Sequence, residues 1–232
     1  MSYDLAGLGR LVERDDRNAE YKLPRMSVRV RRRIWPCPEP LDQGGTPMCV
    51  GYSGYQWLRA GPVENTEMSF SPKDLYRWAQ QNDEWPGENY EGSSALGLMK
   101  ALKQRGFVTE YRWAFDANTV MNWLLTSGPL LFGTAWYRDM FTPGKDNFVV
   151  VGGEDTGGHE YLLLGADLDK RCPDHSIGAV LMINSWGSGW GNKGRAWISK
   201  RDVAKLLANN GDCVTATEVD LDPLKSYAVA IP

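Results

Sequence analysis

Cys49 stands where a glycine- and proline-containing turn, DQGGTPM, runs into an apolar stretch with helical spacing. A helix N-terminus presents unpaired N–H groups and a positive field, and both favour thiolate over thiol. A thiolate is a strong nucleophile, but at neutral pH it needs a basic or cationic partner. The chain has only 2 histidines, so the search is short. His175 lies in a polar loop, RCPDHS, where it forms a C-x-x-H pair with Cys172. Zinc needs three or four ligands and no second pair accompanies this one, so no metal or other cofactor is expected. His159 opens HEYLLLGAD, behind Gly157 and Gly158. A lone histidine at a strand start is most often structural. Asn184 changes that reading, because it ends the apolar run AVLMI and leads into SWGSGWG. A neutral amide can hold an imidazole in one orientation and tautomer. Trp186 packed over that contact would keep water away and strengthen it. Together these residues could make a nucleophilic thiol with an oriented basic partner.

Helices must carry the thiol and strands the histidine. Residues 49–60 read as a helix in which Val50, Tyr52, Ser53, Trp57 and Leu58 can face inward. SPKDLYRWAQQ begins a second, with Ser71 as N-cap, Pro72 in the first turn and Asp74 completing a capping box. A third spans 94–105 and closes at Gly106; a fourth spans about 118–126 behind Asp116. After Gly128-Pro129 the pattern turns to short apolar runs, PLLFGTAW, NFVVVGG, HEYLLLGAD, AVLMINSW and GRAWIS, parted by Gly, Pro and Asp as strands are. A last helix, about 200–208, follows Ser199. The fold class is α+β, with a helical half, a strand-rich half and a cleft between them. Residues 1–24 form a polar arm and 25–232 one domain. Its helical lobe spans about 49–127; its β lobe spans about 128–232 and takes in 25–42.

Composition narrows the function. With 26 basic and 29 acidic side chains, net charge −3, a general nucleic-acid or membrane binder is not expected. RMSVRVRRR, residues 25–33, is basic, but its alternation reads better as a half-exposed strand. The N-terminus has no signal-peptide pattern, and no apolar run reaches the ~18 residues that span a bilayer. The 4 cysteines have irregular spacing in a chain too large to need staples, so free thiols and a cytoplasmic setting are expected.

Three segments carry a resemblance. DQGGTPMC resembles the Q-x-x-x-x-x-C segment of papain-like cysteine peptidases, HEYLLLGAD their histidine strand, and INSWGSGWGNKG their N-S-W-G-x-x-W-G block. FSPKDLY, EGSSALGLMKALKQRG and SGPLLFG follow in the family's order, so the resemblance covers roughly residues 34–200. It implies a two-lobed fold, a helical lobe packed on a β-barrel-like lobe with the active site in the cleft. It implies Cys49 as nucleophile, His159 as general base and acid, Asn184 to orient His159, and Gln43 as donor to the oxyanion beside the Cys49 amide. Trp186 would shield the histidine. Gly92, Ser93 and Ser94 take the place of the glycine pair that holds substrate backbone. Gly158 precedes the histidine. Glu160 and Gly133 border the pocket for the second residue upstream of the scissile bond, where a carboxylate would favour Lys or Arg. The partner implied is a peptide or protein substrate.

The departures matter. Val50 stands where the family has an aromatic residue. Thr46-Pro47 replaces a Cys-Gly, so the family's first disulfide cannot form. With 42 residues before Gln43, no folded prosegment is expected, which would suit a bacterial or phage type, although the arm could lie across the cleft. A ligase, transpeptidase or isopeptidase would use the same residues. A non-catalytic binding module on this fold would be expected to lose the thiol or histidine, and this chain keeps both.

Overall fold

The structure, a computed structural model, describes residues 7–219 apart from 86, 88 and 145. The first six residues of the expected arm and positions 220–232 of the expected β lobe lie outside the described residues. After a short strand β1 (Arg32–Ile34), the first half contains α1 (Cys49–Arg59), α2 (Pro72–Gln80) and α3 (Ala95–Gln104). Strand β2 (Val108–Trp113) and α4 (Ala117–Thr126) follow. The second half holds β3 (Leu130–Tyr137), β4 (Asp155–Arg171), β5 (Ile177–Ile183), β6 (Arg195–Ser199), α5 (Lys200–Ala208) and β7 (Asp212–Val219).

Capping explains where the helices begin. Ser71 accepts the Asp74 amide at 3.3 Å, and the Asp74 carboxylate accepts the Ser71 amide at 2.8 Å. Such a cap is worth about 1 kcal/mol. The side chains of Ser94, Asp116 and Ser199 accept first-turn amides of α3, α4 and α5. Helix α1 is the exception. Its N-cap, Met48, supplies no side-chain acceptor, so the first turn around Cys49 keeps its donors for another partner.

The strands form a seven-stranded antiparallel sheet in the order β2-β7-β3-β4-β5-β6, with β1 on β4. Alternation divides the core in two. Leu131, Leu162, Ile183 and Val214 face α1, α2 and α3. Leu130, Phe132, Tyr161, Leu163, Met182 and Cys213 face the other way, with Val203 and Leu206 of α5 and Leu124 of α4. The sheet is therefore the shared wall between two cores.

Three expectations change. NFVVVGG is not a strand: only Phe148 bridges, to Trp197, Val150 is exposed, and left-handed backbone at Asn147 and Gly153 bounds the run at both ends. The strand expected over 25–33 is reduced to β1, with Val30 exposed and Arg31 paired to Asp169. Strands β2 and β7 were not foreseen; they satisfy each other across the sheet edge.

Candidate active site

Strand β4 carries His159 and the loop after β5 carries Asn184. His159 Nε2 donates to Asn184 Oδ1 at 2.8 Å, and the same oxygen accepts the Ser185 amide at 2.8 Å. An amide oxygen only accepts, so Nε2 bears the proton and Nδ1 keeps its lone pair. Nδ1 has no hydrogen-bond partner among the described residues. The imidazole is buried in aromatic rings. Trp186 lies over it with centroids 4.7 Å apart and Trp136 meets it edge-on at 4.9 Å. Phe141 stacks on Trp186, and the Trp190 indole donates to the Phe141 carbonyl at 2.8 Å. The expected shield thus has several walls.

Gln43 is buried and aimed from both ends. Its backbone amide donates to the Ser185 carbonyl at 2.8 Å and its side-chain oxygen accepts the Ser185 hydroxyl. That leaves the Nε2 protons, which go to the Thr46 carbonyl at 2.6 Å and the Gly7 carbonyl at 2.8 Å.

Cys49 is fully buried at the start of α1. Its sulfur faces the backbone amides of Glu160, Gly9 and Val50. No hydrogen bond joins it to His159 among the described residues. Burial pushes the thiol up to about 12 against those donors, and burial pushes His159 down to about 4 against its bond to Asn184. Both groups are therefore neutral at pH 7 in this state.

What covers them is the N-terminal arm. The amides of Gly9 and Arg10 both donate to the Gly158 carbonyl at 3.0 Å. Leu11 N–H donates to the Ser93 carbonyl at 2.8 Å, and Ser93 N–H to the Gly9 carbonyl at 2.9 Å. Farther along, Glu13 accepts the Ser94 hydroxyl and the Lys100 ammonium. Ser94 otherwise caps α3, accepting the Gly97 amide at 2.8 Å. Arg10 enters a recess built by three paired strands. Gly133 of β3 is flanked by Asp212 of β7 and Glu160 of β4 in register. Arg10 Nη2 donates to Asp212 at 2.7 Å and to the Asn210 carbonyl at 2.6 Å.

No family model matches the chain. It is 26% identical over 161 residues to "Cathepsin B-like cysteine proteinase 5" of Caenorhabditis elegans, a stretch covering 69% of this chain. The chain spans about a third, 34%, of that curated relative. Among solved structures it is similar to xylellain, a cysteine protease from Xylella fastidiosa, with TM-score 0.71 and 16% identity over 93% of this chain and 97% of that one. It is also similar to digestive procathepsin L 3 of Tenebrio molitor larval midgut, with TM-score 0.65 and 13% identity over 91% of this chain and 76% of that one.

This is the papain-like fold. Within the papain-like cleft, Gln43, Cys49, His159, Asn184 and Trp186 converge from segments far apart in sequence. Gly92, Ser93 and Gly158 line the track that the arm follows, and Gly133 and Glu160 form the recess. The sequence held no sign of Asp212, Asn210, Ser185 or Trp136, and it raised the arm across the cleft without naming residues 7–13 as the part that lies there. The one available signal was LAGLGRLVE, where two glycines interrupt an otherwise apolar and charged run. Asp212 lies on an unforeseen strand and carried no signal.

Proposed function

We propose that this chain is a cysteine peptidase that hydrolyses peptide bonds in a peptide or protein substrate and rests covered by its own N-terminal arm. The observation that carries this is the 2.8 Å bond from His159 Nε2 to Asn184 Oδ1, which leaves Nδ1 unprotonated in the cleft where α1 presents Cys49. Once the arm leaves, water reaches both groups and the desolvation that holds them neutral is relieved. The thiol proton passes to His159 Nδ1, and the sulfur attacks the substrate carbonyl carbon. Gln43 Nε2, freed from Gly7, donates to the resulting oxyanion. The C–N bond breaks as Nδ1 gives its proton to the departing amine. A water, deprotonated by the same nitrogen, hydrolyses the thioester and returns the thiol.

The arm's direction supports a covered rather than a cleaved state. A substrate would put its carbonyl at Gln43 one residue after the side chain that fills the recess. Here the carbonyl at Gln43 belongs to Gly7 and the side chain in the recess to Arg10, three residues later. The arm runs the opposite way and sets an N–H, that of Gly9, against the sulfur instead of a carbonyl carbon. Thr46 in a family cysteine position, with four free thiols, supports a reducing compartment, the cytoplasm. No helix among the described residues is long and apolar enough to cross a membrane.

The test is hydrolysis of a peptide library by the full chain carrying Gly9→Ala, with and without Cys49→Ala. Cleavage that vanishes with the thiol is expected. Cleavage that persists without it removes the assignment, as does no cleavage by a variant whose cleft is shown to be open.

A further inference from the structure

The bond to Asn184 holds one nitrogen of His159, and Nδ1 has no hydrogen-bond partner among the described residues. A single hydrogen bond fixes one atom and tolerates some turn of the ring plane about it. Where Nδ1 points is therefore left to packing, and two rings set it. Trp186 lies along the imidazole at 30° with centroids 4.7 Å apart, and Trp136 stands across it at 74° and 4.9 Å. A ring along the face and a ring across it stop a rotation that either alone would permit.

Trp136 reaches this place through an irregularity in the pairing of β3 with β4. Thr134 pairs with His159 and Ala135 with Gly158, but Tyr137 pairs with Asp155, so Thr156 and Gly157 together oppose Trp136. Such a bulge re-aims the side chain beside it. The Thr156 hydroxyl donates to the Trp136 carbonyl at 2.5 Å and pins the backbone there. The indole is 0% exposed, and the rings of Phe141, Tyr161, Trp186 and Trp190 all meet it. Its own N–H finds no acceptor among the described residues. A buried unpaired donor is a cost that phenylalanine would not carry, so stability alone does not call for an indole at this position.

We infer that Trp136 is a positioning residue for His159, the wedge that turns Nδ1 toward the thiol of Cys49, and this rests on the peptidase reading for the reaction it serves. With Nδ1 aimed, the imidazolium that forms stands beside the sulfur and favours thiolate by its charge. With the ring free to turn, that charge lies farther away on average, and the thiol keeps its proton to higher pH. Trp186 covers the face of the ring and does not block a turn within the space Trp136 fills.

The experiment reads ionisation of the thiol, so it needs no turnover. In the full chain carrying Gly9→Ala, alkylation of Cys49 by iodoacetamide is followed from about pH 4 to 10 by peptide mapping. Trp136→Ala should move the lower limb of that profile up by about one pH unit, a tenfold loss of thiolate at a given pH. Trp136→Phe, which restores a ring, should recover part of the shift. Trp123 is the control, a buried indole of the same core whose N–H is also unpartnered among the described residues. The rings that meet His159 among the described residues are Trp136, Tyr161 and Trp186, so Trp123→Phe should leave the limb in place even where it lowers the melting temperature as much. Glu160, Arg10 and Tyr76, the charged or titratable groups that act on the sulfur, are the same in all these chains. A limb that stays in place in both Trp136 variants, shown to be folded by circular dichroism, overturns the proposal, as does an equal shift in Trp123→Phe. If Trp136→Ala does not fold, Trp136→Phe decides alone, and a limb at the wild-type position then counts against the wedge. If the limb shifts and no peptide is cleaved by any of these chains, the positioning of His159 stands and the peptidase reading falls.

Discussion

The Gly158 carbonyl accepts the Gly9 amide at 3.0 Å, and the contact needs both residues to lack a side chain. A Cβ on Gly9 would stand 2.0 Å from the Pro47 carbonyl oxygen, and a Cβ on Gly158 would stand 2.0 Å from the Arg10 carbonyl oxygen. Gly92 repeats the pattern, with its would-be Cβ 2.4 Å from the Gly9 carbonyl oxygen. Arm and cleft are thus cut to one another at backbone level. Gly9→Ala should destabilise the covered state by about 1–3 kcal/mol, the usual range for overpacking. Alkylation of Cys49 by iodoacetamide at pH 7 should then quicken by roughly 5- to 100-fold. Peptide mapping by mass spectrometry reads this directly, and labelling of Cys49 at the wild-type rate would show that the arm does not guard it.

In the proposed mechanism Gln43 exchanges the Gly7 carbonyl for the oxyanion. With the arm ejected, Gln43→Ala should lower kcat by about 10²–10³ with KM little changed, because the amide serves the oxyanion and not the ground-state carbonyl. Steady-state kinetics in the Gly9→Ala background separate the two constants. An effect confined to KM would make Gln43 a ground-state binder instead.

How much of this could be read from residues alone follows from the range of each interaction. The helices were legible because their caps are local: Ser71 with Asp74 and Asp116 with Thr119 sit three residues apart. Motifs singled out Gln43, Cys49, His159 and Asn184, and the fold pairs His159 with Asn184. Asp212 was not legible, because its meaning comes from pairing with Gly133, 79 positions away in sequence as 212 − 133 = 79. Residues 147–153 looked like a strand by composition, but they make only one bridge, from Phe148 to Trp197, a long-range pairing that composition cannot foretell. Glu160 was singled out from its place after His159, but that the chain's own Arg10 comes near it required the fold.

His159 should impose an acid limit on stability. Its pKa falls from 6.5 to about 4 on burial. The unfolded chain therefore gains a proton as pH drops through 6.5 while the folded chain does not until about 4. The contribution is full above the unfolded value and is lost as pH falls between the two, amounting to about 3 kcal/mol. Glu160 shifts the opposite way, so the comparison is made against His159→Gln. Urea unfolding at pH 7.5 and pH 4 should show the wild type losing about 3 kcal/mol more than that variant. Parallel losses in both proteins would mean that His159 is not buried neutral.

The four cysteines are free, so reductant should leave the melting temperature unchanged. A drop of several degrees on adding dithiothreitol would reveal a bridge that this fold does not contain.

The most direct measurement of the central claim uses water enriched in oxygen-18. The full chain carrying Gly9→Ala is incubated with a peptide it cleaves, and the products are weighed by mass spectrometry. Hydrolysis through a Cys49 thioester requires one heavy oxygen in the new carboxyl group of the upstream fragment, and no product at all from the Cys49→Ala version. Products without the label, or fragments joined to an added amine in place of water, would contradict a hydrolase. Product formed at an undiminished rate without Cys49 would contradict the thiol as nucleophile.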